Sequence, residues 1–257
     1  MSVRPKKSLG QHFLRDGNIA RKIVQSLEAD PGGVVLEVGP GTGILSQYLF
    51  EQFPEVHLLE IDREAWTFLQ ERFPEHRDRI IHGDFLKFEI SERFNAALAI
   101  IGNFPYNISS QIFFHILTHR QQVGKVVCMI QKEVADRIRS PHGSKKYGIL
   151  SVLLQAFYDI EYLFPVGPKV FNPPPRVQSA VLRMKRNKTK NLSCDEKLFF
   201  RVVKAAFNHR RKTLRNSLKG HFPISDPGLE IFSLRPEQLS VERFVELTSL
   251  LETNLSS

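Results

Sequence analysis

Along this chain, short and continuously apolar runs alternate with stretches in which apolar residues return every third or fourth position. The first kind reads as buried strand and the second as amphipathic helix. "NIARKIVQSLEA", after Asp16 and Gly17, has helical spacing; "GVVLEVG" is a short strand and "GILSQYLFEQF" the helix behind it. "VHLLEID" followed by "REAWTFLQERF" repeats the unit. "RIIHGD" is a third strand, "AALAIIGN" a fourth with "ISSQIFFHILTH" helical after it, and "KVVCMI" a fifth with "QKEVADRIRS" behind it. "YGILSVLLQAFY" is helical, and "DIEYLFPV" and "VQSAVLRMK" then read as two closing strands, an antiparallel pair by their direct succession. The alternation predicts an α/β fold, a mostly parallel sheet with helices on both faces. Ligands of such sheets bind beyond the carboxyl ends of the strands.

The polar and aperiodic "KRNKTKNLSCDEK" ends this pattern and places a domain boundary near 186–194. That gives a first domain over 1–187 and a second over 188–257. In the second, "LFFRVVKAAFNHRRKTLRNSL" and "LSVERFVELTSLLE" are helical in spacing, so a small helical domain is expected.

Composition narrows the class. Of 257 residues, 42% are hydrophobic and 25% charged, an ordinary globular balance. No apolar run approaches the roughly 18 residues of a membrane span, and "MSVRPKKSLGQHFLRDG" lacks the apolar core of a secretory signal. Two cysteines, Cys128 and Cys194, make neither a disulfide framework nor a metal cluster. A cytoplasmic protein with no metal and no membrane partner is expected.

Charge sharpens the picture further. The net charge is +9, with 36 Lys and Arg against 27 acids. Residues 186–219 hold 11 of those cations and two of the acids, so this one stretch carries the whole excess. Residues 1–15 add Arg4, Lys6, Lys7 and Arg15 without an acid. Such a local excess reads either as a solvated face or as a surface for a polyanion, whose counterions are released on binding.

Candidate chemistry sits at the strand ends. "LEVGPGTG" puts Gly39, Gly41 and Gly43 between a strand and a helix, where a backbone can approach a ligand and helix N–H groups point at it. Nicotinamide enzymes carry glycine-rich turns here too, but the third glycine of their fingerprint would fall at Ile44. Glu60 ends the second strand, where a carboxylate can accept from a ribose diol. Asp62, just before "REAW", fits a helix cap better. Asp84 follows the third strand, placed to accept from an exocyclic adenine amine. Three such positions after three successive strands imply an adenosine ligand.

The fourth strand runs into Asn103-Phe104-Pro105-Tyr106. The Asn103 carboxamide oxygen and the Pro105 carbonyl could each accept one hydrogen of an adenine amine. Two acceptors favour a more tetrahedral nitrogen and aim its lone pair at a methyl sulfonium. Tyr106 could stack on the base, worth about 1–3 kcal/mol and offsetting part of the cost of extruding it. No strong general base is needed, since positioning and electrostatics can carry the transfer. Further on, Pro173–Pro175 form a stiff segment that either holds Phe171 over the base or leaves Phe171 in the core.

Taken together, "KKSLGQHFL", "LEVGPGTG", "LEID", "GDF", "NFPY", "VFNPPPRVQSAVLR" and "AFNHRRKTLRNSL" resemble the bacterial small-subunit rRNA adenine dimethyltransferases of the KsgA type. The likeness spans nearly the whole chain. It implies a Rossmann-like, S-adenosylmethionine-dependent methyltransferase domain with a small helical C-terminal domain. The implied activity is N6,N6-dimethylation of two adjacent adenosines in the 3′-terminal hairpin of small-subunit rRNA within a pre-30S particle, with a role in subunit biogenesis. Nothing in the pattern demands more than a monomer.

By this resemblance the methyl donor is bound by His12, Leu14, Gly39, Gly41, Glu60, Asp84 and Asn103. Asn103, Pro105 and Tyr106 serve the reacting amine, and Tyr106 and Phe171 flank the target base. Lys204, Arg210, Arg211, Lys212 and Arg215 contact RNA, Arg211 and Arg215 being four apart on one helical face. Two positions depart from the family: His12 stands where many members have Asn, and Phe104 where an aliphatic residue is usual. Two other readings share parts of the pattern. One is an erythromycin-resistance type enzyme acting on large-subunit rRNA, and the other is an rRNA-binding assembly factor whose methylation is secondary.

Overall fold

In the computed structural model, which describes residues 3–28, 30 and 32–256, the strand–helix alternation takes the order that the hydrophobic pattern predicts. β1 (Phe13–Leu14) precedes α1 (Gly17–Gln25); β2 (Val34–Val38), α2 (Ser46–Gln52), β3 (Val56–Glu60), α3 (Arg63–Arg72) and β4 (Ile80–His82) follow. After α4 (Ile90–Arg93) come β5 (Leu98–Asn103), α5 (Ser109–Thr118), β6 (Val123–Gln131) and α6 (Lys132–Arg139). Then come α7 (Ile149–Gln155), β7 (Tyr158–Val166), β8 (Phe171–Asn172) and β9 (Ser179–Arg186), and finally α8 (Glu196–Asn208), α9 (Leu214–Leu218) and α10 (Val241–Ser256).

The chain divides into two compact units, one of residues 1–135 with 160–186 and one of residues 136–159 with 187–257. In the first, seven strands form one sheet in the order β4-β3-β2-β5-β6-β9-β7. The run β4 to β6 is parallel, and β9 returns antiparallel to β6 with β7 beyond it. β2 is buried at all five positions, which explains why four of its residues are apolar, Glu37 being the exception. Strand order reverses between β2 and β5, the switch point at which such sheets hold ligands. Asp16 caps α1, accepting from the N–H groups of Asn18 and Ile19 at 2.9 and 3.0 Å.

A second, two-stranded sheet has no signature in the periodicity. β1 pairs antiparallel with β8, matching Phe13 with Asn172 and Leu14 with Phe171. Two residues are too few to show a period.

The second unit is built on α7, α8, α9 and α10, which pack on one another in pairs. The hydrophobic pattern places a single boundary near 187, whereas residues 136–159 cluster with the C-terminal helices. α7 is the cause: Leu150, Val152, Leu153 and Leu154 are all buried, and the helix packs on α8 and α10. Its Gln155 amide ties back to the carbonyls of Ile138 and Ser140 at 2.8 and 2.9 Å.

The spacing also predicts one helix through 198–218, with Arg211 and Arg215 on a shared face. The structure corrects this. α8 stops at Asn208 and α9 starts at Leu214, with a turn between them in which Lys212 N–H donates to the His209 carbonyl at 2.8 Å. Thr213, extended at the N-terminus of α9, begins a new helix rather than continuing the old one. Arg211 thus lies in the turn and Arg215 on α9, and both are exposed. Among the described residues, no helix is long and apolar enough to cross a membrane.

Candidate active site

At the switch point, four successive parallel strands deliver their C-terminal residues to one cavity of about 250 Å³. Gly39 and Gly41 enter it from the loop after β2, Glu60 from β3, Asp84 after β4, and Asn103, Pro105 and Tyr106 from β5 and beyond. The opposite wall is the segment 8–13, which includes His12.

Gly41 shows why this loop needs glycine. Its φ is +58°, and a Cβ added there would stand 2.7 Å from the Phe13 ring. Its N–H donates to Glu60 Oε2 at 2.9 Å, while the N–H of Asp62 donates to Oε1, also at 2.9 Å. Glu60 is only 2% exposed, and burial pushes its carboxyl up from the usual range against those two backbone donors. Each oxygen keeps a lone pair for a further donor.

Beneath the loop lies a second buried acid. Glu37 is fully buried, accepts from the Ser46 hydroxyl at 2.6 Å and, among the described residues, has no partner on Oε1. Burial, with Glu60 nearby, pushes it up to about 8, so it is protonated at neutral pH. Asp84 caps the turn that follows it, accepting from the N–H of Leu86 at 3.0 Å.

Asn103 is oriented by a contact the sequence does not reveal. Its Nδ2 donates to the carbonyl of His12 at 2.8 Å. A carbonyl only accepts, so the amide NH2 must face His12, and among the described residues Oδ1 has no partner. The Pro105 carbonyl accepts one long bond, 3.3 Å, from the N–H of Ile108 and retains a second lone pair. Phe104 turns inward, 1% exposed and edge-on to Phe113.

Tyr106 is held at both ends. Its hydroxyl bonds the fully buried Ser179 at the start of β9, and burial raises its pKa. The His12 ring stacks on it with centroids 5.4 Å apart and planes 28° from parallel. His12 Nδ1 in turn donates to the Pro173 carbonyl at 2.8 Å. One face of Tyr106 is therefore covered by the His12 ring, and the residue lines the cavity.

Two residues named in the resemblance lie elsewhere. Phe171 is 3% exposed within the hydrophobic core and does not line the cavity, so its ring cannot flank a base in this structure. The reason is β8: pairing with Leu14 turns Phe171 inward. Leu14 is likewise a core residue at 3% exposure, and its side chain offers the cavity no contact. Conversely, Gln11, Phe13, Ile61 and Asn107 line the cavity without having been singled out by type or spacing. Ile61 is the most informative of these, a large apolar side chain that is left 48% exposed and lines the cavity.

In the second unit, Lys204, Arg211, Lys212 and Arg215 are exposed. Arg210 is half-buried, donating to the Ser144 carbonyl at 3.3 Å and lying 4.0 Å from Glu237. Arg215 donates to the Pro227 carbonyl. Among the described residues, no group of three or more His, Cys, Asp or Glu could hold a metal ion.

Comparison with known proteins places this geometry in a family. Residues 3–230 match the family model described as ribosomal RNA adenine dimethylase. A protein of Parabacteroides distasonis named ribosomal RNA small subunit methyltransferase A is 53% identical, over 98% of this chain and 96% of the relative. The protein of the same name from Porphyromonas gingivalis is also 53% identical, over 98% and 99%. Among solved structures, a dimethyladenosine transferase from Plasmodium falciparum superposes with a TM-score of 0.78 at 24% identity, covering 95% of this chain and 98% of that one. The 23S rRNA methyltransferase ErmE superposes with a TM-score of 0.68 at 25% identity, covering 93% and 99%. The strand-end acids, the glycine loop, the Asn-Phe-Pro-Tyr turn and these matches together show that the chain belongs to the ribosomal RNA adenine dimethylase family.

Proposed function

We propose that this protein transfers methyl groups from S-adenosylmethionine to N6 of adenosines in small-subunit rRNA, two to each of two adjacent adenosines of the 3′-terminal hairpin. The names of relatives 53% identical over nearly the full chain support the rRNA target. The cavity suits an adenosine-containing donor. Glu60 offers two carboxylate oxygens, Asp84 an acceptor for an amine, and Ile61 and Leu86 apolar cover for a ring. S-adenosylmethionine, when bound, supplies an electrophilic methyl carbon.

The observation that carries the proposal is the Asn103 amide, anchored through its NH2 to His12 and left, among the described residues, with an unpartnered oxygen in the cavity that Pro105 also lines. In the first transfer that oxygen and the Pro105 carbonyl take the two hydrogens of the adenine amine and direct its lone pair into the cavity; in the second, the one remaining hydrogen engages one of them. In the transfer the amine nitrogen would take the methyl carbon as that carbon leaves the sulfonium sulfur, and would release one proton to solvent. Neither acceptor needs to be a strong base, because holding and polarising the amine lowers the barrier by orientation and electrostatics. Tyr106, fixed by Ser179 and His12, presents its uncovered face to the extruded base. The exposed cations of the second unit hold rRNA phosphates.

Methyl transfer to under-methylated small subunits, followed by mapping of the modified nucleotides, tests this reading. Wild-type protein should place two methyls on each of two neighbouring adenosines. Asn103→Ala should lose at least about 100-fold in kcat, the scale of a missing transition-state hydrogen bond. Full activity in that variant would refute the amine contact. The likeness to ErmE favours a second reading, methylation of large-subunit rRNA. The same mapping separates the two.

A further inference from the structure

We propose that Lys6 is a positioning residue whose ammonium, seated on Asp62, latches the segment 6–12 across the donor cavity. This rests on the reading of that cavity as the S-adenosylmethionine site. The segment forms a compact turn. The N–H groups of Leu9 and Gly10 donate to the carbonyls of Lys6 and Lys7 at 3.1 Å each, and Lys6 N–H donates to Gln11 Oε1 at 2.8 Å. Its two ends are tied to different walls. At one end Lys6 Nζ bonds Asp62 Oδ1, with Gln11 Nε2 3.4 Å from Oδ2. At the other, the His12 carbonyl accepts from Asn103 and the His12 ring donates to Pro173. Between them Gly10, at φ +63°, lies so close to Asn107 that an added Cβ would stand 2.4 Å from its Oδ1.

Asp62 also caps α3 by accepting from the N–H of Glu64 at 3.0 Å, a task that needs no lysine. What Lys6 adds is a neutralising partner for a carboxylate whose side chain is 0% exposed. Through it the segment joins the network that sets the donor acid: Asp62 N–H holds one oxygen of Glu60, and Gly41 N–H holds the other. Lys6 itself is 42% exposed, and Glu64 offers a second carboxylate oxygen 3.7 Å away. With its ammonium end at the surface and Glu64 within reach, Lys6 can leave Asp62 and return. Such opening has a use in repeated methylation, because each methyl consumes one donor molecule and the spent one must leave before the next transfer.

Lys6→Met and Lys6→Arg test the proposal in the full-length protein. The probes are S-adenosylhomocysteine, by calorimetry and stopped-flow dissociation, and steady-state kinetics at varied S-adenosylmethionine. Lys6→Met should raise the donor KM and the S-adenosylhomocysteine dissociation rate about tenfold, the worth of one charged hydrogen bond, without lowering kcat at saturating donor. Lys6→Arg should restore most of the loss. A merely structural ion pair would lower the melting temperature of Lys6→Met and leave both donor constants unchanged, and that result would overturn the latch. A wild-type protein that binds no S-adenosylhomocysteine would overturn the assignment of the cavity, and the latch with it.

Discussion

The proposed chemistry turns on a single amide, and its setting illustrates what residue identity alone can and cannot convey. Asn103 is legible as a candidate because it ends a strand and precedes Pro105, but the His12 carbonyl that orients it is 91 residues away in the chain. The same holds for Ser179, which fixes the Tyr106 hydroxyl from across the sheet. Glu37 is a clearer case still. In sequence it is one acid in "LEVG"; in the fold it is fully buried and titrates at about 8 instead of 4.5. Between those two values folding takes up a proton. This group's contribution to stability is therefore complete below pH 4.5 and lost as the pH rises to about 8. Glu37→Gln, neutral throughout and able to keep the Ser46 bond, removes that dependence. Denaturant midpoints of the two proteins should diverge across this window, wild type losing on the order of several kcal/mol relative to the variant. Parallel curves would mean that Glu37 ionises normally.

Whole elements are more legible than the residues that connect them. Periodicity reveals the core strands and their helices because burial on both faces of a parallel sheet leaves mostly apolar runs, broken in β2 only at Glu37. It fails for β1 and β8, two residues each, and these are the strands that turn Leu14 and Phe171 into the core. It also fails at 209–213, where the helical apolar spacing continues although the backbone turns. The glycine loop lies between these extremes: its position is evident, but its reason is the Phe13 ring. Gly41→Ala should therefore weaken S-adenosylhomocysteine binding by about tenfold or more, since a positive φ and a crowded Cβ each cost on the order of 1 kcal/mol. Calorimetry alongside a melting curve checks this, and unchanged affinity would show that the loop does not touch the donor.

At the scale of the whole molecule, charge is the most informative sequence feature and the domain boundary the least. The excess of cations in residues 186–219 is plain from counting, and the structure leaves Lys204, Arg211, Lys212 and Arg215 at the surface. The membership of α7 in the second unit is invisible in sequence, because a mostly apolar helix packs as well on a sheet as on other helices. If Arg211 and Arg215 hold phosphates, replacing both by alanine should weaken binding of a small-subunit rRNA hairpin. The slope of log K against log salt should also fall by about 0.7–0.9 for each phosphate that is no longer neutralised. Affinity measured from low to moderate salt reads both, and an unaltered slope would remove these residues from the interface. The central claim concerns one pocket, and a crystal structure with S-adenosylhomocysteine and an adenosine-bearing RNA addresses it most directly. Asn103 Oδ1 and the Pro105 carbonyl should both lie within about 3.2 Å of the adenine N6, with the amide NH2 still on His12. An N6 held by other groups, with Asn103 turned away from it, would contradict the mechanism.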